Sequence, residues 1–230
     1  MTASKPTTPN GADLEAVILD YNGVIGRQPT SAQWAQLADL AGWHPHETHA
    51  FQQAFWQRRE PFDEGIAVTH TFWSGLLRNG RTAAPGSSLL AALGTADIAM
   101  WTATDPAVLD LLRTAHATGL RLVLLSNAPK PLANVLDDTD WCATLFSRTV
   151  YSARIGANKP HRRAYEAALE AAGLPDPAKT LFVDDRLENV EAAERFGLQT
   201  LHYTGDPAAL ARRLLQQPAV TRPAALAASA

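Results

Sequence analysis

The sequence is short of several things. It has one cysteine, Cys142, in 230 residues. A lone thiol excludes an internal disulfide framework and suits a reducing compartment. Positive charge is not in excess: 20 Lys and Arg stand against 23 Asp and Glu, for a net charge of −3. That excludes the electrostatic footprint of a nucleic-acid or anionic-membrane partner. No apolar run of the chain approaches the roughly 20 residues of a membrane span. The opening M-T-A-S-K-P-T-T-P-N-G has no apolar h-region, so no secretory signal is expected and the expected location is cytoplasmic. Residues 1–13 and the Ala/Pro-rich stretch 217–230 read as disordered tails.

What remains is a typical globular composition, 46% hydrophobic and 19% charged, in a chain long enough for one large domain or a domain with an insertion. V-I-L-D (17–20) reads as a short buried strand followed by the turn residues Asn22 and Gly23. From Thr30 to Trp101 only helical patterns follow, at 31–41, 46–58, 68–77 and near 87–93, punctuated by Pro45, Pro61, Gly65, Gly80 and Pro85. From Asp105 onward strands and helices alternate. Asp105-Pro106 opens a helix as N-cap and first position. Strands are expected at 120–125, 148–152, 180–184 and 199–203, and helices at 161–173, 187–197 and 206–215. Alternation of this kind implies an α/β fold, a doubly wound parallel sheet. The helical block is then an insertion after the first strand. The expected organisation is an α/β core from 14–26 and 103–216 with an all-helical cap at 27–102. Ligands in such folds bind beyond the carboxyl ends of the strands, so an insertion there would cover the site.

Four features fall at or just after strand ends: Asp20, Ser126-Asn127, Lys159 and Asp184-Asp185. Their motifs resemble those of the haloacid dehalogenase (HAD) superfamily. D-Y-N-G-V (20–24) is similar to its D-x-D-G-T/V with one departure, and L-L-S-N resembles its second motif. N-K-P (158–160) resembles the third, a lysine just before a helix. F-V-D-D-R-L-E-N-V-E-A-A-E-R-F-G-L resembles the fourth, an Asp pair with a following Asn and Gly. The order also matches over residues 16–216, and the early helical insertion resembles a type 1 cap.

The resemblance implies a Rossmann-like core, Mg²⁺ as cofactor, a small phosphorylated substrate and an aspartyl-phosphate on Asp20. A phosphate monoester dianion repels a carboxylate, and a cation held by oxygen ligands offsets that. Asp20, Asp185, Asp184 and the Asn22 backbone carbonyl are the implied metal ligands, with Asp185 ahead of Asp184 for direct ligation. Lys159 would neutralise Asp20 and the transferring group. Ser126, Asn127 and backbone N–H groups around Asn22 and Gly23 would hold the phosphate oxygens.

The departure is Asn22, where family phosphatases carry a second Asp that protonates the leaving alkoxide. An amide cannot do this. Three readings follow: a phosphatase for good leaving groups, a carbon hydrolase like the 2-haloacid dehalogenases, or a catalytically impaired HAD-fold binding protein. Asn189 is expected to orient its loop. Trp34, Trp43, Trp56, Trp73 and Trp101 are read chiefly as packing residues and Arg58-Arg59 with Asp63 as a structural salt bridge. His44, His46 and His49 are not expected to bind zinc, and Cys142 is assigned to the core.

Overall fold

A computed structural model describes residues 14–215; the expected tails at 1–13 and 217–230 lie outside the described residues. In chain order the elements are β1 (Ala16–Leu19), α1 (Ser31–Leu40), α2 (Thr48–Asp63), α3 (Thr69–Ser74), α4 (Ser88–Met100), α5 (Pro106–Ala117), β2 (Arg121–Ser126), α6 (Lys130–Asp137), α7 (Asp140–Leu145), β3 (Arg148–Tyr151), α8 (Ser152–Ile155), α9 (Arg162–Ala171), β4 (Thr180–Asp184), α10 (Leu187–Phe196), β5 (Gln199–His202) and α11 (Pro207–Leu215). The five strands form one sheet, ordered β3-β2-β1-β4-β5. Every pairing is parallel, with Ile18 of β1 opposite Val123 on one side and Phe182 on the other.

β1 and β4 are buried along their whole length, as apolar runs covered on both faces must be. Side chains alternate between faces. Val17 and Leu19 join a core with α5, α6 and the inserted helices, while Ala16 and Ile18 pack under α9 and α10. The strand order reverses between β1 and β4, and the crevice of a doubly wound sheet opens at that reversal. Asp20 directly follows β1 and Asp184 is the last residue of β4, and the Asp20 N–H donates to Val183 O at 2.9 Å.

The inserted helices leave and return through two paired chain segments. Arg27 N donates to Ala103 O and Asp105 N to Ile25 O, both at 2.8 Å. α1 starts on a capping box between Thr30 and Gln33. Asp105 Oδ1 caps α5 through Ala107 N, with Pro106 at the first position. Three readings of the sequence need correction. α2 does not stop before Pro61 but continues to Asp63. The proline forfeits one helical hydrogen bond, and this is outweighed by Phe62, stacked on Phe72 at 4.4 Å, and by Asp63, paired with Arg59. α4 extends to Met100, well beyond Leu93. α6, α7 and the single-turn α8 were not expected. At eight, six and four residues they are shorter than the window in which a helical period shows. Among the described residues no helix is long and apolar enough to cross a membrane.

Candidate active site

The parallel sheet delivers its carboxyl ends to one rim. Lys159 arrives in the loop ahead of α9 and is buried, with its Nζ 2.6 Å from Asp20 Oδ1 and 2.8 Å from Asp184 Oδ2. It also donates to Leu125 O at 3.0 Å, so all three ammonium protons have acceptors. Asp184 is fully buried and fully engaged. Beyond Lys159 it accepts from Arg186 N at 2.9 Å and from Asn189 Nδ2 at 3.0 and 3.1 Å. Asn189 therefore orients Asp184 and keeps the turn closed. Asp185 is half-buried and lines the cleft.

Oxygens of Asp20, Asp184 and Asp185 lie within 4.8 Å of one another, the only group of three or more such side chains among the described residues that could share an ion. One ammonium against three carboxylates leaves the cluster short of positive charge. Burial pushes the Asp20 carboxyl up to about 7; Lys159 pulls it down, while Asp184 and Asp185 push it up. Asp185 is raised by burial and by Asp184. Burial opposes the Lys159 charge, but Asp184 and Asp20 outweigh it and hold the ammonium above its ordinary range. An all-oxygen donor set with surplus negative charge fits a hard divalent cation such as Mg²⁺. His44 and His46 stack on each other at the surface and belong to no such group.

Gly23 is required twice over. Its φ is +83°, and a Cβ there would stand 2.1 Å from Asp185 Oδ2. Its N–H donates to Gly26 O at 2.8 Å inside the turn. Asn22 lines the cleft, and its Oδ1 is buried without a hydrogen-bond partner among the described residues. Ser126 Oγ is in the same condition. Orphaned buried oxygens of this kind call for a missing partner. Asn127 is engaged with the Lys159 backbone: Lys159 N donates to its Oδ1 at 2.8 Å and its Nδ2 donates to Lys159 O at 3.0 Å.

The opposite wall comes from the insertion. The cleft has a volume of about 680 Å³, and Gln28, Trp56, Arg59, Glu60, Asp63 and Trp101 face the rim residues across it. Two residues to which the sequence reading gave no role of their own join the walls. Asn158 Nδ2 donates to Glu60 O at 3.0 Å, and Ser152 Oγ donates to Asp63 O. The loop carrying Lys159 is thereby stitched to the end of α2.

Arg59 is buried with its Nε 2.7 Å from Asp63 Oδ1 and its Nη1 3.3 Å from Asp97. Four rings, of Phe55, Phe62, Phe72 and Trp101, surround it at 5.1–6.0 Å. The i,i+4 bridge expected from the sequence is present. Asp97 was missed, although a lone acid in the apolar stretch of α4 is a readable signal. Burial pushes the Asp63 carboxyl up to about 7 against the pull of Arg59. Removing the guanidinium would leave two buried carboxylates unpaired. Arg59→Ala is expected to cost about 3–5 kcal/mol of stability, read as a lowered urea midpoint at unchanged slope. A loss below about 1 kcal/mol would mean the network is solvated like a surface pair.

A sequence model of the haloacid dehalogenase-like hydrolases matches residues 14–197. The chain belongs to that family. Among curated relatives, it is 35% identical over 100 residues to the sesquiterpene phosphatase astK of Aspergillus oryzae, covering 44% of this chain and 50% of that one. It is 32% identical over 100 residues to phosphoglycolate phosphatase of Salmonella paratyphi A, covering 43% of this chain and 39% of that one. The chain thus aligns with half or less of the length of these curated relatives. A HAD-family enzyme of Bacteroides thetaiotaomicron, solved with magnesium and inorganic phosphate, superposes with a TM-score of 0.66 at 19% identity over 84% of this chain and 96% of that one. At that identity the likeness speaks for the fold.

Proposed function

We propose that the chain is a Mg²⁺-dependent phosphatase acting on a small phosphorylated metabolite, with Asp20 as nucleophile. The observation that carries this is the convergence of Asp20, Lys159 and Asp185 at the β1/β4 reversal, where a carboxylate, a fixed ammonium and a second, cleft-facing carboxylate meet. The two curated relatives, both named as phosphatases, support the reaction class. Asp20, Asp185 and the Asn22 carbonyl would hold the ion, with Asp184 behind them. When bound, the ion offsets the repulsion between carboxylate and phosphate dianion.

Lys159 holds Asp20 Oδ1 at 2.6 Å, which leaves Oδ2 to attack. A bond forms from that oxygen to phosphorus and the bond from phosphorus to the leaving oxygen breaks. The products are an aspartyl phosphate and the leaving anion, which takes its proton from water because Asn22 has none to give. Water then attacks phosphorus, the bond to Asp20 breaks, and inorganic phosphate is freed. Ser126 Oγ supplies a hydroxyl toward the non-bridging oxygens, which would satisfy its own buried oxygen. Acyl, aryl and anomeric phosphates, whose leaving groups need little protonation, are the favoured substrates.

Halide departure from carbon requires no cation beside the nucleophile, so a dehalogenase reading leaves Asp185 without a task. A phosphate-release screen over phosphorylated metabolites separates the readings. Release is expected with Mg²⁺, to stop in EDTA and to return on adding Mg²⁺ back. Chloride release from a 2-haloacid that ignores EDTA would overturn the proposal.

A further inference from the structure

Beyond the phosphate, the cleft has a wall of definite chemistry. Trp56 remains 50% exposed, while Trp34, Trp43, Trp73 and Trp101 are buried. Its ring is held from behind by Phe55 at 5.5 Å, Trp101 at 5.8 Å and Trp34 at 6.1 Å. Trp101 is fixed in turn: its Nε1 donates to Asp97 Oδ1 at 2.9 Å, and its carbonyl accepts from Tyr21 Oη at 2.7 Å. A large ring kept half-bare in a cleft and braced by other rings is a preorganised surface for an apolar or ring-bearing ligand.

The charged groups on the same walls are unsuited to a second anion. Three cations line the cleft, Lys159, Arg59 and Arg186. Lys159 is committed to Asp20 and Asp184, and Arg59 to Asp63 and Asp97. Arg186 is exposed and paired with exposed Glu188, which also lines the cleft, so solvent screens it and the pair adds no net positive charge. Glu60, exposed on the insertion wall, has no cation partner among the described residues. A substrate carboxylate placed here would meet negative charge and no free donor cation.

We infer that the organic half of the substrate is an uncharged ring or apolar group seated on Trp56, and that Glu60 disfavours substrates with a second anionic group. The inference rests on the phosphatase reading and names the substrate class for that same site.

The test uses the full chain with Mg²⁺ and three acyl phosphates of similar leaving ability: acetyl phosphate, benzoyl phosphate and 4-carboxybenzoyl phosphate. Benzoyl phosphate is expected to exceed acetyl phosphate about tenfold in kcat/KM, the scale of an aromatic contact. The added carboxylate is expected to lower kcat/KM about tenfold from the benzoyl value, more at low salt than at high. Trp56→Ala should bring the benzoyl-to-acetyl ratio close to one, and Trp56→Phe should keep most of it. Glu60→Gln should narrow the carboxylate penalty without touching that ratio, and this holds independently of how Trp56→Ala folds. Acetyl and benzoyl phosphate turned over equally would overturn the inference while the phosphatase reading stands. So would a benzoyl-to-acetyl ratio that survives Trp56→Ala, or a carboxylate penalty that survives Glu60→Gln. No phosphate from any of the three, with release still found in the metabolite screen, would overturn the inference alone; no release in either would end the phosphatase reading and the inference with it.

Discussion

Asp20→Asn is expected to abolish phosphate release, by about 10⁶-fold on the scale seen when a covalent nucleophile is removed. The amide keeps the shape of the side chain and can still accept from Lys159, so geometry is retained and nucleophilicity alone is lost. Stability should not fall with it. Burial holds the Asp20 carboxyl up at about 7, so at neutral pH its charge is one the fold resists. A neutral amide relieves that burden and part of the crowding from Asp184 and Asp185. The variant should therefore melt at or above the wild-type temperature while giving no phosphate and no phosphorylated protein in a rapid-quench mass spectrum. Residual turnover within tenfold of wild type would show that Asp20 is not the nucleophile.

The second large effect is a gain. Asn22 lines the cleft with an unsatisfied buried oxygen, at the position where an acid would meet the leaving group. Asn22→Asp changes an amide nitrogen for an oxygen, with no change of volume. It should restore general acid catalysis, worth about 10²–10⁴-fold. The gain must depend on the leaving group. Alkyl phosphates, whose alkoxides leave badly without a proton, should approach the full factor, and acyl phosphates should change little. A plot of log kcat against leaving-group pKa should flatten in the variant. The variant should also lose rate as pH rises through the new carboxyl pKa, because the acid form is the one that donates. A uniform gain for every leaving group would point to a changed electrostatic environment instead of a proton donor.

Much of the fold was legible because it rests on local patterning. Buried parallel strands read as apolar runs, as in L-R-L-V-L-L and T-L-F-V-D. Caps announce themselves in two or three residues, as at Asp105-Pro106. What failed was of the opposite kind. α6 and α7 are too short to show a period, and the run of α2 through Pro61 depends on Phe62 and Asp63 finding partners in other helices.

The site divides in the same way. The identities of Asp20, Asn22, Lys159, Asp184 and Asp185, and the places of all but Lys159 at or just after strand ends, were carried by the sequence, because chemistry demands particular side chains and a parallel sheet sends its strand ends to one rim; Lys159 follows the unexpected α8 instead. That Asn22 stands where the resembled motif has Asp was visible there too. The resemblance ranked Asp185 ahead of Asp184 for direct ligation, but the physical difference between these sequence neighbours comes only from the packing of Lys159 and Asn189, which buries Asp184 and leaves Asp185 facing the cleft. Nor could sequence reveal that Asn127 braces the lysine, that Asp97, conspicuous as the lone acid of α4, has Arg59 as its partner, or that Trp56 alone among the insertion's tryptophans keeps half its ring in the open. Those facts depend on contacts between residues tens of positions apart. Such contacts are set by how helices pack, and no local period or motif encodes them.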